Sequence, residues 1–186
     1  HVLACMAENE LAPPVLGVAW DGTGYGLDGT IWGGEFFRVT ENKIERVAHL
    51  RPFPLPGGDK AVKEPRRVAL GLLYGLMGED VFEHKELPTL AAFTTAELTA
   101  LRSMLARGVN SPVTTSMGRL FDAVASLTGI RQTLDFEGQA AMDLEFALDG
   151  VETEEHYRLL SEHGSDGKNQ SPIVLDWAVL LEGILA

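Results

Sequence analysis

Four glycines within eight residues separate two apolar runs near the start of the chain, and this stretch most constrains the fold. The apolar runs occupy residues 15–20 and 36–39, and the glycines are Gly22, Gly24, Gly26 and Gly29. Glycine turns tightly and leaves its N–H exposed, so the stretch predicts a strand, a loop and a second strand. The loop is either a plain wide hairpin turn, which its composition favours, or a nest of amides around a phosphate.

Asp21 lies at the end of the first predicted strand, where a carboxylate can hold a metal-bound water or a hydroxyl group. The stretch does not match the P-loop pattern G-x-x-x-x-G-K-[ST], and no helix pattern follows it. These two absences exclude both a P-loop and a Rossmann turn.

Composition excludes several classes of protein. The chain has 186 residues with 45% hydrophobic and 23% charged residues, which suits one soluble domain. Its net charge of -12 disfavours nucleic acid as a partner, and no apolar run approaches the length of a membrane span. Cys5 is the only cysteine, so we expect no disulfide, a cytoplasmic location and a buried apolar role for this side chain. Because the chain starts at His1 rather than Met, we expect it to be a piece of a longer protein.

Residue periodicity predicts three strands and several helices. The strands are predicted at 15–20, 31–39 and 43–51 as an antiparallel meander, with short strands at 156–160 and 173–175. Helices are predicted at 1–10, from Asp59 as cap to about residue 76, from Thr95 to Gly108, at 115–128, from 136 to about 148, and after Asp176 as cap. Thr94 and Glu97 form a predicted capping box. Residues 78–88 and 164–171 are predicted loops, and Phe121 and Val124 are expected to face the core.

Five sequence blocks occur together in a characteristic order. They are D-G-T-G-Y-G at 21–26, W-G-G-E at 32–35, P-L-P-G-G-D at 54–59, S-M-G-R-L-F-D-A-V at 116–124 and F-E-G-Q-A at 136–140. This combination resembles the C-terminal, threonylcarbamoyl-transferase-like domain of the HypF carbamoyltransferases of hydrogenase maturation. The resemblance implies an α+β, actin-like ATPase lobe with a small, mostly antiparallel sheet of about three to five strands packed with helices. It also implies that residues 1–10 end a helix of a preceding lobe and that residues 11–186 form one lobe, truncated at its C-terminus.

The resemblance implies a function for the intact protein. HypF enzymes use ATP and carbamoyl phosphate, through carbamoyl-adenylate, to carbamoylate the C-terminal cysteine of HypE, from which the cyanide ligands of [NiFe]-hydrogenase derive. Arg119 and Ala123 replace the glutamate and lysine of the tRNA-modifying relatives and argue against that branch. Two alternatives stay open: a small-molecule O-carbamoyltransferase of the antibiotic or nodulation type, and a non-catalytic lobe that docks a partner. We expect this lobe alone to be inactive.

The resemblance also implies the site residues, although it assigns no catalytic residue. The expected nucleotide- and phosphate-binding residues are Asp21, Gly22, Thr23, Gly24, Tyr25, Gly26, Asp122, Glu137, Gly138 and Gln139. His1 matches one ligand of a divalent metal, iron or zinc, whose other family ligands lie outside this sequence. With one ligand present, we expect no tightly bound metal here. His49, His84, His156 and His163 show no ligand spacing and are predicted to be structural or exposed.

Overall fold

The computed structural model describes residues 1–162 and 171–186. Its strands are β1 (Val15–Tyr25), β2 (Ile31–Val39), β3 (Ile44–Leu50), β4 (Phe53–Pro54), β5 (Val113–Thr114), β6 (Leu160–Glu162) and β7 (Ile173–Asp176). Its helices are α1 (Val2–Glu8), α2 (Asp59–Lys63), α3 (Pro65–Met77), α4 (Pro88–Ala91), α5 (Thr95–Arg107), α6 (Met117–Leu127), α7 (Gln139–Ala147) and α8 (Ala178–Leu185), with a 3₁₀ helix at Gly78–Glu83. The α+β fold class is therefore confirmed.

A mixed sheet organises the chain. Strands β1, β2 and β3 form the predicted antiparallel meander, in which Val15 pairs with Val39 and Val39 pairs with Ile44. The strand order is β4-β5-β2-β3-β7-β6, and β1 pairs with β2 outside this path. The described sheet has seven strands rather than three to five, because several segments of two to four residues extend it. Strands β5 and β7 run parallel to their neighbours β2 and β3.

Helices α3 and α6 pack against each other and fill the core. Along α3, apolar residues at helical spacing are fully buried, among them Val68, Leu72 and Leu73. Trp177 closes the core beside β3, donating its indole N–H to the carbonyl of Arg51 at 2.7 Å. A Cβ at Gly71 would lie 2.0 Å from the carbonyl oxygen of Pro54, so glycine allows α3 to approach β4 closely.

The helix predicted from Asp59 to residue 76 is divided at Glu64. Pro65 has no N–H to continue the first helix, and it occupies the first turn of α3 instead. Gly58, not Asp59, is the N-cap of α2. The predicted loop at 78–88 contains the 3₁₀ helix, which is a second difference from the expected elements.

Several local predictions agree with the structure. Thr94 and Glu97 form the expected reciprocal capping box of α5, and Gly108 ends that helix with φ 64°. The predicted loop at 164–171 lies almost wholly outside the described residues.

Other predictions differ. Trp177, rather than the expected Asp176, is the N-cap of α8, and the Asp176 carboxylate accepts the N–H of Ala178 at 2.8 Å from the preceding position. Cys5 is exposed rather than buried, because α1 turns its Met6 side inward. No helix in the described part of the chain has both the length and the apolar character needed to cross a membrane.

Candidate functional site

The glycine-rich stretch lies mostly in strand β1, which corrects its predicted placement as a loop. Strand β1 continues to Tyr25, and the hairpin turn lies at residues 26–30. Trp20 pairs with Gly34 and Gly24 pairs with Trp32, so three residues of β1 lie opposite the single residue Gly33. These three residues, Asp21, Gly22 and Thr23, are called the bulge below. A bulge bends its strand and turns backbone groups away from the sheet.

The hairpin turn is held by a carboxylate rather than by amides around an anion. Asp28 Oδ1 accepts the backbone N–H and the hydroxyl of Thr30 and the indole N–H of Trp32, at 3.0, 2.6 and 3.0 Å. Burial opposes ionisation of Asp28, but these hydrogen bonds and the nearby charge of Arg46 outweigh it and lower its pKa to about 2. Gly26 begins this turn, and Tyr25 before it is 89% exposed. Gly26 and Tyr25 therefore lie at the hairpin end, beyond the bulge.

The bulge lies on the N-terminus of helix α6. The hydroxyl oxygen of Ser116 lies 2.6 Å from the carbonyl oxygen of Asp21 and 3.0 Å from that of Gly22. The same oxygen accepts the N–H of Arg119 and caps the helix. A Cβ at Gly118 would lie 2.9 Å from the Cα of Gly22, so no larger residue fits at 118 without moving the bulge. The contact brings a helix N-terminus, with its positive potential, directly against the bulge.

Arg119 and Asp122 form a buried ion pair one turn into α6. Arg119 Nη1 lies 2.8 Å from Asp122 Oδ2, and the two side chains are 3% and 2% exposed. The same nitrogen donates to the carbonyl of Val62 at 3.2 Å. Burial raises the pKa of Asp122 to about 6; the charge of Arg119 opposes this shift and that of Glu137 adds to it. The expectation that Phe121 faces the core is wrong, since Phe121 is 45% exposed.

Glu137 completes the group around the bulge. A Cβ at Gly22 would lie 3.1 Å from Arg119 Nη2 and 3.2 Å from Glu137 Oε1, so both side chains flank that glycine. Gly138, with φ 81°, is the N-cap of α7, and Gln139 accepts the N–H of Asp135 at 2.8 Å. The structure thus brings together residues that are about a hundred positions apart in the chain. The cluster is called the bulge site below and consists of Gly22, Gly118, Arg119, Asp122 and Glu137.

His1 and Asp21 meet on another side of the bulge, at a cavity of about 350 Å³. His1 Nδ1 lies 3.1 Å from Asp21 Oδ2. Burial, and next the charge of Glu35, raise the pKa of Asp21. The other oxygen, Oδ1, is buried without a hydrogen-bond partner, so its lone pairs are free to bind a cation. Thr23 and Gly24 line the same cavity.

Two donors do not complete a metal site. In the described ranges, no three His, Cys, Asp or Glu side chains are grouped so as to hold a metal ion. The orphaned oxygen of Asp21 and the adjacent imidazole of His1 nevertheless have the donor chemistry of an iron or zinc site. The residues present therefore fit one part of such a site.

The other described histidines have local roles, as predicted. His49 is half-buried with its Nδ1 2.8 Å from the carbonyl oxygen of Leu50, and burial lowers its pKa. His84 and His156 are exposed. His163 lies outside the described residues.

Sequence reasoning assigned no role to Glu35, which is the most completely buried carboxylate near the site. It is 1% exposed, yet it follows two glycines and precedes two phenylalanines in a strand. A charged residue inside an apolar strand is a signal of a buried polar network, because burying a carboxylate without partners is costly.

The comparisons with known proteins agree with this architecture. The family model described as Carbamoyltransferase, Kae1-like Domain, second subdomain matches residues 17–186. The carbamoyltransferase HypF of Synechocystis sp. is 41% identical over 99% of this chain and 25% of its own length. HypF of Rhizobium leguminosarum bv. viciae is 42% identical over 78% of the chain and 18% of its own length.

Two solved structures have the same fold. A full-length HypF in the phosphate- and nucleotide-bound form superposes with a TM-score of 0.84 and 37% identity, over 98% of this chain and 22% of that one. T. kodakarensis HypF superposes with a TM-score of 0.79 and 32% identity, over 97% of this chain and 23% of that one. The chain thus spans about a quarter or less of the length of these relatives.

Fold and family model together define a Kae1-like subdomain of the carbamoyltransferase class. Within that class, this chain belongs to the HypF carbamoyltransferase family. The resemblance drawn from the five sequence blocks is confirmed.

Proposed function

We propose that this chain is the nucleotide- and phosphate-binding lobe of a cytoplasmic carbamoyltransferase. The reaction consumes ATP and carbamoyl phosphate, passes through carbamoyl-adenylate, and carbamoylates the C-terminal cysteine of a HypE-type acceptor for the cyanide ligands of [NiFe]-hydrogenase. One observation carries the proposal: Gly22 lies between Arg119 and Glu137 at the N-terminus of α6. Membership of the HypF family, and a relative solved with phosphate and nucleotide, support the choice of ligand.

The bulge site has the chemistry to bind phosphate. Backbone amides of the bulge, the N-terminus of α6 and the guanidinium of Arg119 all attract an anion. Preorganised donors stabilise charge that develops on a phosphate oxygen as a bond breaks. Glycine at positions 22 and 118 leaves the backbone accessible for this contact.

The two carboxylates of the bulge site take different roles. Asp122 is buried against Arg119, so it holds the guanidinium in place. Glu137 is exposed and flanks Gly22, so it is placed to accept a hydrogen bond from a ribose hydroxyl. Gly138 leaves open space beside it, since a Cβ there would meet no atom within 4 Å.

His1 and Asp21 would contribute to holding a divalent metal, iron or zinc. When bound, such a cation supplies Lewis-acid polarisation of a carbamoyl oxygen. Within this chain, Asp21 positions its carboxylate through the backbone contact between its carbonyl oxygen and Ser116.

A transfer assay tests the proposed reaction. Radiolabelled carbamoyl phosphate, ATP and a HypE-type acceptor are incubated with the complete polypeptide that the gene encodes, and the acceptor is mapped for label. We expect ATP-dependent label on the C-terminal cysteine of the acceptor. Label on a sugar or another small hydroxyl compound would contradict the proposal, and so would the absence of any ATP-dependent transfer.

The variant Glu137→Gln tests the role of the bulge site in that assay. We expect the KM for ATP to rise about tenfold, which corresponds to about 1.4 kcal/mol of binding energy. Glu154→Gln, which neutralises another exposed carboxylate, is the matched control and leaves the KM unchanged. Equal KM values for the two variants would contradict nucleotide binding at Glu137.

A further inference from the structure

Glu35 is a buried carboxylate that receives four hydrogen bonds. Its Oε2 accepts the backbone N–H groups of Gly33 and Gly34 at 2.5 and 2.8 Å. Its Oε1 accepts Arg46 Nη2 at 2.9 Å and the hydroxyl of Thr115. Hydrogen bonds to an ionised acceptor are stronger than neutral ones, so this network fixes its members firmly.

The network reaches both ends of the glycine-rich hairpin. Thr115 directly precedes Ser116, whose hydroxyl oxygen contacts the carbonyl oxygens of Asp21 and Gly22. Arg46 also pairs with Asp28 at 3.2 Å, and Asp28 organises the turn at residues 26–30. Glu35 therefore connects the turn at one end of the hairpin to the bulge at the other.

The backbones around Glu35 are in direct contact, so a movement is transmitted without a flexible side chain between them. A Cβ at Gly34 would lie 2.2 Å from the carbonyl oxygen of Thr115. A Cβ at Gly33 would lie 2.6 Å from the carbonyl oxygen of Asp21 and 3.0 Å from the Cα of Ser116. These close approaches couple the position of Thr115 to that of the bulge.

We propose that Glu35, acting through the hydroxyl of Thr115, is a positioning residue that sets the bulge in its nucleotide-binding geometry. The inference rests on the proposed nucleotide binding at the bulge site. Neither residue contacts the nucleotide itself. The hydroxyl of Thr115 places Ser116, Ser116 holds the carbonyl groups of the bulge, and the bulge presents its amides toward the phosphate.

Thr115→Val tests the proposal because valine matches threonine in shape but lacks the hydroxyl. Thr115→Ser restores the hydroxyl and is the rescue variant. Thr89→Val is the matched control: Thr89 is equally buried and its hydroxyl lies 2.8 Å from that of Ser126, in the helical layer. The Kd for ADP is measured by calorimetry on the complete polypeptide, and the Tm of each variant is measured alongside.

We expect Thr115→Val to raise the Kd for ADP about tenfold, because binding must then restore the position of the bulge. Thr115→Ser returns the Kd to within about twofold of the unmodified protein. Thr89→Val lowers the Tm but leaves the Kd unchanged. If Thr115→Val does not fold, Thr115→Ala removes the same hydroxyl without placing a methyl group against Glu35. We then expect the same rise in the Kd for ADP, about tenfold, for Thr115→Ala.

The outcomes separate the two proposals. If the unmodified protein does not bind ADP, the proposed function fails. If it binds ADP and Thr115→Val binds equally well, the positioning role is refuted while nucleotide binding stands. Equal weakening by Thr115→Val and Thr89→Val would also refute it, since a general loss of stability would then explain both.

Discussion

Neutralising Asp122 should remove one contribution to stability that falls as the pH rises. The pKa of this carboxyl is about 6 in the folded chain against an ordinary value of 3.8, mainly because it is buried. Its protonated form therefore favours folding. The stability that it contributes is fully present below an unfolded pKa of 3.8 and is lost as the pH rises through about 6. The difference between a pKa of 3.8 in the unfolded chain and about 6 in the folded chain corresponds to about 3 kcal/mol of unfolding free energy.

The experiment compares the unmodified chain with Asp122→Asn by urea unfolding at a series of pH values from about 3.5 to 7.5. Tryptophan fluorescence monitors the unfolding. Asparagine does not titrate, and the unpaired Arg119 adds an offset that is constant over this range. The unfolding free energy of the unmodified chain minus that of Asp122→Asn should fall by about 3 kcal/mol as the pH rises.

Asp80→Asn is the control, because Asp80 is an exposed carboxylate on the 3₁₀ helix. Its difference curve is the baseline of the comparison. A curve for Asp122→Asn that matches this baseline, or one that rises with pH, would refute the assignment of Asp122 as a carboxyl destabilised by burial.

Three further substitutions test the packing by urea unfolding. Gly34→Ala should lower the unfolding free energy by at least about 2 kcal/mol, since its Cβ would meet the carbonyl oxygen of Thr115 at 2.2 Å. A smaller loss would mean that the backbones of Gly34 and Thr115 separate easily. Thr94→Ala should cost about 1 kcal/mol through loss of the capping box, and an unchanged midpoint would argue against that cap. Leu120→Ala should lower the unfolding free energy by about 2–5 kcal/mol, because Leu120 is buried. Phe121→Ala should lower it by less than half as much, because Phe121 is half exposed. The reverse order would contradict the orientation of α6.

Local signals in the sequence predicted much of the fold. Alternating apolar residues defined the meander, and the cap at Thr94 depends only on residues within one turn. Pro65 lacks a backbone N–H, which is a local signal for a kink or a break in a helix. The full break at Glu64 was not predicted, although the residue before a proline is disfavoured from helical backbone angles and Glu64 has φ -127° and ψ 86°.

The orientation of α6 could not be derived from its hydrophobic pattern. The pattern placed Phe121 in the core, but Phe121 is 45% exposed while the neighbouring Asp122 is buried. The buried face includes the small residues Ala123 and Ser126, which a pattern of large apolar residues overlooks. Asp122 is tolerated inside because Arg119 accompanies it. An ion pair within the core leaves no signature in apolar periodicity.

The bulge and the Glu35 network were missed for a different reason. Glycines in the first strand indicated a loop, but Gly22 serves a close approach between β1 and α6. The hydroxyl that Glu35 accepts belongs to Thr115, which is 80 residues away. A charged residue within an apolar strand signals a buried network, but the local sequence does not identify its partners, which tertiary structure sets.

The most direct test of the account is a titration of the complete polypeptide with ADP, monitored by NMR on isotopically labelled glycine. We predict saturable shifts for the amides of Gly22, Gly118 and Gly138, with Gly108, at the end of α5, unaffected. Saturable binding that leaves the amides of Gly22 and Gly118 unchanged would contradict the claim that this bulge holds the nucleotide.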